Sequence, residues 1–206
     1  MKHILFRAIS LLLLFSLMLF ALVACQNNKE SEQEGVVYDE ERLSEYVAPF
    51  SYTGLTVTLE SADSLKSEAV WSLILSRAEI LSYPEDAVEY YAEQRRDTYR
   101  YYAEKNDWSY EQALEFFGVS EESIIAEAKN MVKGDLVYRY IVKDAGISLT
   151  EKEKSAQLDR YVKKYAEDYG YTEDYVRENL LDLIYDSMLY DKTMEYLIVN
   201  NNFIQK

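Results

Sequence analysis

The sequence predicts an all-α protein, an elongated bundle of long helices with one short extended segment near residues 53–59. From Ser64 onward, apolar residues recur at three- and four-residue spacing, which is the period of an amphipathic helix. The chain has only 2 Pro and 6 Gly, and most of them stand where a helical pattern starts or stops. Few breakers at regular positions favour long helices over a sheet.

The N-terminal 24 residues have the pattern of a signal peptide. Lys2 and Arg7 give a positive start, and residues 9–22 are apolar except for two serines. The run is short for a membrane-spanning helix, and no second apolar segment follows it. We therefore predict export from the cytoplasm.

The end of this segment, Leu22-Val23-Ala24-Cys25, resembles the lipobox of bacterial lipoproteins. The resemblance implies cleavage before Cys25 and two acyl chains on its thiol, enough for stable anchoring. The protein would then lie at the extracytoplasmic face of the cell membrane. An ordinary signal peptide with a chance cysteine, or an uncleaved anchor, remains the alternative.

The composition after cleavage excludes several functional classes. The leader contains His3, the one histidine, and lipid would occupy Cys25, the one cysteine, so no His base, Cys nucleophile or disulfide remains. Cleavage leaves 20 basic and 37 acidic residues, a net charge of −17. Such a chain is a poor partner for nucleic acid or anionic lipid headgroups. We expect no cofactor and no metal, because no phosphate-binding loop or metal-ligand spacing is present.

Residues 25–37 are polar and Glu-rich, and we expect a flexible tether there. Residues 38–60 form an extended N-terminal segment, with a short helix around residues 40–47 before Pro49. In residues 53–59, Thr alternates with apolar residues after Gly54, as in a strand. Because a lone strand cannot form a sheet, this segment must pair locally, pack on helices or remain an extended linker.

Residues 61–206 are expected to form the helical domain. Several of its helices begin at Ser or Thr and stop at Gly, as capped helices do. The predicted helices run from Ser64 to about Leu81, from Pro84 to about Lys105, from Ser109 to Gly118, from Ser120 to Gly146, from Thr150 to Gly170, and from Thr172 onward.

The order of these elements resembles a known family. Residues 52–57 (YTGLTV) and the helix after them are similar to the segment of bacterial trigger factor that precedes its isomerase domain. Residues 83–85 (YPE), 115–122 (EFFGVSEE) and 146–153 (GISLTEKE) resemble turns and caps of that family's helical C-terminal domain. The resemblance covers roughly residues 52–199.

The departures from that family are equally informative. No isomerase domain fits between Leu81 and Pro84, and no ribosome-binding domain precedes the helices. Similar helical domains occur in exported chaperones of the SurA type and in parvulin-type foldase lipoproteins. The resemblance therefore implies a chaperone-like domain that binds unfolded or partly folded secreted polypeptides without prolyl isomerase activity.

Helical geometry separates predicted core aromatics from candidates for polypeptide binding. On the Pro84 helix, Val88, Tyr91, Tyr99 and Tyr102 share the expected core face; on the last helix, that face holds Val176, Leu180, Leu183, Tyr190, Met194 and Leu197. The binding candidates lie off these faces: Tyr90, Tyr101, Val137, Ile141, Tyr185, Leu189 and Tyr196. They form either an exposed binding surface or a second packing face, and both interpretations remain open.

Other polar and aromatic residues are better explained without a site. Glu178, Asp182 and Asp186 are spaced four apart, which indicates a solvated acidic helix face rather than a cation site. Trp108 is expected to plug the core at a helix start. Arg95 and Arg96 are expected to be surface charges.

The sequence thus favours a membrane-anchored chaperone-like lipoprotein that is not an enzyme. The first alternative is a helical adaptor lipoprotein that docks one specific folded partner. The second is an enzyme, either an isomerase without a recognisable domain or a hydrolase that uses paired acids. The missing histidine and free cysteine make the enzyme the weakest of the three.

Overall fold

A computed structural model of the chain describes Val36, residues 38–61 and residues 64–206. The predicted signal peptide (residues 1–24), Cys25 and nearly all of the predicted tether (residues 25–37) lie outside the described residues. Residues 38–206 belong to one compact unit. Within the part described, no helix combines the length and apolar character needed to cross a membrane.

The described part of the chain contains eight α-helices and two short strands, which confirms the all-α prediction. The helices are α1 (Leu43–Tyr46), α2 (Lys66–Arg77), α3 (Glu85–Lys105), α4 (Tyr110–Phe117), α5 (Glu121–Asp144), α6 (Glu151–Tyr169), α7 (Glu173–Asn179) and α8 (Leu181–Val199). The strands are β1 (Thr56–Leu59) and β2 (Asn202–Gln205), and a 3-10 turn (Glu40–Arg42) precedes α1.

The helix boundaries follow the capping residues. Ser109, Ser120 and Thr150 each accept a hydrogen bond from the backbone N–H three residues further on, and the side chain at that position bonds back. Gly118 and Gly170 end their helices with φ of 64° and 71°, a left-handed conformation that Gly adopts without steric penalty. Local sequence thus decides where most helices start and stop.

The predicted last helix is in fact two helices. Leu180, with φ −125° and ψ 17°, separates α7 from α8. A break resets the helical phase, so the face extrapolated across it is only partly right: Val176, Met194 and Leu197 are buried as predicted. Leu183 and Tyr190, expected in the core, are 52% and 42% exposed, whereas Ile184 and Met188 are buried.

One cluster of buried residues in the described part of the chain, which we call the first core, lies among β1, α2, α5 and α8. Its buried members are Tyr52, Leu55, Val57, Val70, Ile74, Ala78, Val137, Ile141, Met194 and Leu197. Val137 and Ile141 are fully buried there, so the prediction that they add to an exposed binding surface is wrong. They pack on neighbouring helices, as a central helix requires.

The extended segment finds its partner at the other end of the described chain. β1 pairs in parallel with β2, from Thr56 opposite Asn202 to Leu59 opposite Gln205. The sequence pattern did not reveal β2, because residues 202–205 follow the helical repeat directly and are too few to show a period of their own.

Asn201 holds this junction together. Its side chain is 9% exposed, donates hydrogen bonds to the carbonyl oxygens of Tyr52 (3.0 Å) and Leu197 (2.7 Å), and accepts one from the N–H of Leu55 (2.7 Å). One amide therefore connects the segment before β1 with the end of α8.

Another buried cluster, which we call the second core, lies among α6, α7 and the first half of α8. Its buried members are Tyr161, Val162, Ala166, Val176, Ile184 and Met188. The α6–α7 turn at Gly170 lets α7 fold back so that Val176 packs into this cluster.

The start of the compact unit is fixed to α5 through the half-buried carboxylate of Asp135. The hydroxyls of Tyr38 and Tyr91 donate to Asp135 Oδ2 at 3.1 and 2.5 Å, and the Arg139 guanidinium lies 4.9 Å from the Tyr38 ring centroid. Burial raises the pKa of Asp135, against the two tyrosine hydrogen bonds, which lower it. Tyr91 is therefore a structural residue, in agreement with its predicted position on the core face.

Candidate polypeptide-binding surface

The turn between α3 and α4 is tight and has a small-residue interior. Asp107 adopts φ 54°, and the N–H of Trp108 bonds back to the carbonyl of Ala103 at 2.9 Å. The buried residues of α4 and of the last turns of α3 are alanines, Ala113 and Ala103. Because these alanines fill the space between α3 and α4, the bulky neighbouring residues on both helices lie at the surface.

Those neighbours form one continuous group, which we call the aromatic patch: Tyr99, Tyr101, Tyr102, Trp108, Phe116 and Phe117. Successive ring centroids lie 4.8 to 5.8 Å apart, within the range of favourable aromatic contact. Phe117 is the hub, since its ring contacts Tyr99, Tyr102 and Phe116.

The patch is open to solvent. Phe116 is 68% exposed, and Tyr102, Phe117 and Tyr101 are 42%, 41% and 37% exposed. Single exposed apolar residues are ordinary, but contiguous exposed aromatics mark an interaction surface. The patch is therefore the strongest candidate site in the described part of the chain.

A polar network holds the helices beneath the patch in register. Arg96 on α3 contacts Glu121 on α5 at 3.0 Å, and the hydroxyl of Tyr110 on α4 donates to the same carboxylate at 2.7 Å. The hydrogen bonds from Tyr110 and Arg96 lower the pKa of Glu121, while burial and that bond raise the pKa of Tyr110 to about 12. Glu121 thus joins α3, α4 and α5, and Arg96, expected to be a surface charge, is one of its two partners.

The rim of the patch is acidic. Four exposed carboxylates on α3, α4 and their connecting turn make no ion pair with any described residue: Glu104, Asp107, Glu111 and Glu115. The nearest cation in sequence, Lys105, lies over the Tyr101 ring at 5.5 Å. The patch therefore combines apolar surface with net negative charge.

A comparison with known protein families finds a match to the helices from α2 to α8. The family model described as the bacterial trigger factor protein C-terminus matches residues 58–199, more than half of the chain. The chain belongs to this family. Comparisons with curated proteins and with solved structures give no match.

The trigger factor C-terminus match begins inside β1 and ends at the last residue of α8, so it includes the aromatic patch and all helices from α2 to α8. The predicted resemblance to this family is thereby confirmed. β2 and the segment from residue 38 to residue 57 lie outside the matched range.

In this trigger factor C-terminal domain, the two candidates on α3 are in different surroundings. Tyr101 belongs to the aromatic patch, whereas Tyr90 is half-buried against Tyr91, with ring centroids 5.3 Å apart. Eleven residues separate the two tyrosines, or about 16 Å along a helix axis. Tyr90 and Tyr101 lie on the same stripe of α3, but they are too far apart to form one binding site.

The candidates on α8 are half-buried as well. Tyr196 packs against the first core and Tyr185 against the second, where the Lys154 ammonium lies 5.0 Å from its ring centroid. Leu189 is also half-buried. Much of the surface of these three residues is thus covered by packing against the protein itself. Their role in polypeptide binding stays a prediction.

Sequence reasoning missed most of the patch. Tyr102 was expected in the core and is exposed, and Trp108, expected to be a core plug, is half-buried against Phe116 at 4.8 Å. Phe116 and Phe117 belong to the segment that resembles the trigger factor family, but the two adjacent rings also indicate surface exposure. Adjacent residues on a helix point about 100° apart, so two neighbouring bulky rings on so short a helix cannot both face a narrow interior.

A second aromatic group lies at the α6–α7 turn. It consists of Tyr165, Tyr169, Tyr171 and Tyr175, and the distances between successive ring centroids are 5.4, 6.3 and 4.9 Å. Tyr175 is 44% exposed, and the other three tyrosines of this group are half-buried. This row offers less accessible apolar surface than the patch.

The acidic candidates do not form a continuous face. The break at Leu180 separates Glu178 from Asp182 and Asp186, so their four-residue spacing does not place all three on one straight helix. Burial raises the pKa of Asp186. No cluster of three His, Cys, Asp or Glu residues that could hold a metal ion occurs among the residues the structure describes.

Proposed function

We propose that this protein is an extracytoplasmic, lipid-anchored chaperone-like lipoprotein. It binds non-native secreted polypeptides through the aromatic patch and has no prolyl isomerase activity. The observation that carries the proposal is the exposed patch on the packed helices α3, α4 and α5, in a domain of the trigger factor C-terminus family.

The chemistry of the patch suits many weak, sequence-tolerant contacts. Burying one such ring against a client contributes on the order of 1–2 kcal/mol by apolar area. Tyr and Phe offer large contact area with few rotatable bonds, so little side-chain entropy is lost on binding. The unpaired acids on the rim and the net charge of the chain favour apolar clients that carry basic residues.

The anchoring part of the proposal is supported by the leader pattern and by Cys25 at the end of the apolar run. We expect Cys25→Ala to abolish labelling by a fatty-acid analogue and to leave the protein unprocessed or released from the membrane fraction. The matched control is Cys25→Ala in cells that also express the unaltered chain. If the variant is cleaved at the same bond and still labelled, anchoring at Cys25 is wrong.

The binding part is tested by aggregation assays on the chain from residue 25 onward, with Cys25→Ser to keep it free of lipid. Several unrelated unfolded proteins serve as clients, and light scattering reports their aggregation. The double variant Phe116→Ser/Phe117→Ser should lose most of the suppression, because it removes the centre of the patch. Its thermal stability should change little, since exposed positions contribute little to folding.

The matched control replaces equally exposed apolar residues outside the patch, as Leu65→Ser/Val199→Ser; these residues are 58% and 75% exposed. The control should suppress aggregation as well as the parent chain does. Equal suppression by the control and the Phe116→Ser/Phe117→Ser variant would contradict the patch assignment. A parent chain that suppresses no aggregation, but binds one folded partner, would support the adaptor instead.

A further inference from the structure

The two-stranded sheet has a backbone edge that the described fold leaves open. The N–H groups of Asn202 and Lys206 donate to the carbonyls of Leu55 and Leu59, at 2.8 and 3.1 Å. In a parallel ladder, alternate residues of a strand direct both backbone groups towards the same neighbour. The even-numbered residues of β2 therefore face β1, and Phe203 and Gln205 direct their N–H and C=O groups away from it.

These outward groups of Phe203 and Gln205 have no hydrogen-bond partner among the described residues. Two N–H donors and two C=O acceptors alternate along this edge, with the spacing that an added strand requires. The strand is accessible, since Ile204 is 51% exposed. The edge is thus complementary to the main chain of an extended polypeptide.

The edge also lacks the usual protection against strand addition. Natural edge strands carry Pro, bulges or charged side chains that discourage pairing, and β2 reads Asn-Phe-Ile-Gln, without any of these residues. Two lysines lie next to it: the Lys66 ammonium is 5.1 Å from the Phe203 ring centroid, and Lys206 pairs with Glu60 beyond β1 at 2.9 Å. Lys206 is therefore engaged on the β1 side of the sheet, and Lys66 is engaged by an aromatic ring.

We infer that the outer edge of β2 is a second binding site, which takes an extended segment of a non-native polypeptide as a third strand. Main-chain hydrogen bonds to Phe203 and Gln205 hold the segment, and an apolar side chain packs beside Ile204. The inference rests on the proposed function for the kind of occupant, but it concerns a different surface. Recognition through the backbone tolerates many sequences and excludes segments with Pro at the paired positions.

The test uses a fluorescent peptide of alternating Val and Thr with Lys at both ends, bound to the chain from residue 25 onward carrying Cys25→Ser. Two further peptides carry N-methyl groups on alternate residues, one along each edge of the extended backbone. N-methylation removes N–H donors and leaves every side chain unchanged. Because an added strand pairs through one edge, one methylated peptide should bind at least ten-fold more weakly than the other.

The matched protein variants are Gln205→Pro and Gln205→Ala. Proline at this position removes an outward N–H and leaves the bonds to β1 in place, since Gln205 does not bond to β1 through its N–H. Gln205→Pro should abolish the difference between the two methylated peptides, and Gln205→Ala should keep it. Thermal unfolding of both variants checks that the domain remains folded.

Equal binding of all three peptides would overturn the inference, and so would an unchanged peptide difference in folded Gln205→Pro. A dimer that sedimentation detects and Gln205→Pro dissociates, without an effect on peptide binding, would make the edge a self-pairing surface and also overturn it. Phe116→Ser/Phe117→Ser is measured in parallel. If only that variant weakens peptide binding, the edge inference fails and the proposed function stands. If only Gln205→Pro changes peptide binding, the aromatic patch is not the binding site for this peptide and the edge inference stands.

Discussion

Tyrosines surround the first core and also form part of the aromatic patch, yet the two regions use them differently. Tyr52 is 8% exposed, and its hydroxyl donates to Asp144 Oδ2 at 2.5 Å. Tyr101 and Tyr102 are 37% and 42% exposed beside a helix interior made of alanine. Aliphatic neighbours and a carboxylate for the hydroxyl make a tyrosine structural, whereas a small-residue interior leaves its ring available to a partner.

The two regions also differ in how they are held together. The first core joins segments that are far apart in sequence, through β1–β2 pairing and through the Asn201 amide. The patch is built from two consecutive helices, and polar contacts such as Arg96 with Glu121 hold it against α5. Removing a core side chain should therefore disturb folding, and removing a patch side chain should disturb binding.

The largest difference is expected between Ile141→Ala and Phe116→Ala. Ile141 is fully buried, so its truncation leaves a cavity and should lower the free energy of unfolding by about 3 kcal/mol. Phe116 is 68% exposed, and its truncation should change that free energy by about 0.5 kcal/mol or less. Urea unfolding followed by circular dichroism measures both. Similar losses for the two variants would show that the patch is part of the core.

A somewhat smaller effect is expected for Asn201→Ala. The change leaves the N–H of Leu55 and the carbonyl of Tyr52 without their partner at a buried junction, and should lower stability by about 2 kcal/mol. The matched control is Asn200→Ala, because the exposed Asn200 amide donates to the Tyr196 carbonyl four residues back. Amide exchange at Leu55 should speed up in Asn201→Ala and not in the control. Equal effects of the two changes would contradict the role of Asn201 as a clamp.

The smallest effect concerns the cap of α6. The hydrogen bond from Lys192 at 2.6 Å and those at Thr150 lower the pKa of Glu153 from 4.5 to about 2. A lowered pKa means that this stabilisation is fully present above about pH 5 and disappears as the pH falls towards 2. Glu153→Gln should therefore be less stable than the parent chain at pH 7, and the difference should vanish near pH 2.

The Lys192→Gln variant sharpens this test. If the pair acts as a unit, adding Lys192→Gln to Glu153→Gln should destabilise the domain less than Lys192→Gln alone does. Thermal unfolding across the pH range measures all three variants. A difference between Glu153→Gln and the parent chain that persists at pH 2 would contradict the proposed origin of the shift.

The binding candidates show how far sequence reasoning reaches towards a site. Family resemblance indicated the kind of partner, and helical periodicity selected Tyr101, which does lie in the patch. The same reasoning also selected Val137 and Ile141, which are fully buried. Periodicity reports that a face is apolar, but it does not report whether another helix covers that face.

The sequence by itself determined the helical class, the family and most helix ends, because caps such as Thr150 and stops such as Gly118 act through atoms a few residues away. Only the tertiary structure decided that β1 pairs with β2, that Leu180 interrupts the last helix, and which aromatic rings stay exposed. These outcomes depend on contacts between segments distant in sequence. Whether an aromatic ring is buried depends on which distant segment packs against it, and the sequence around the ring does not specify that segment.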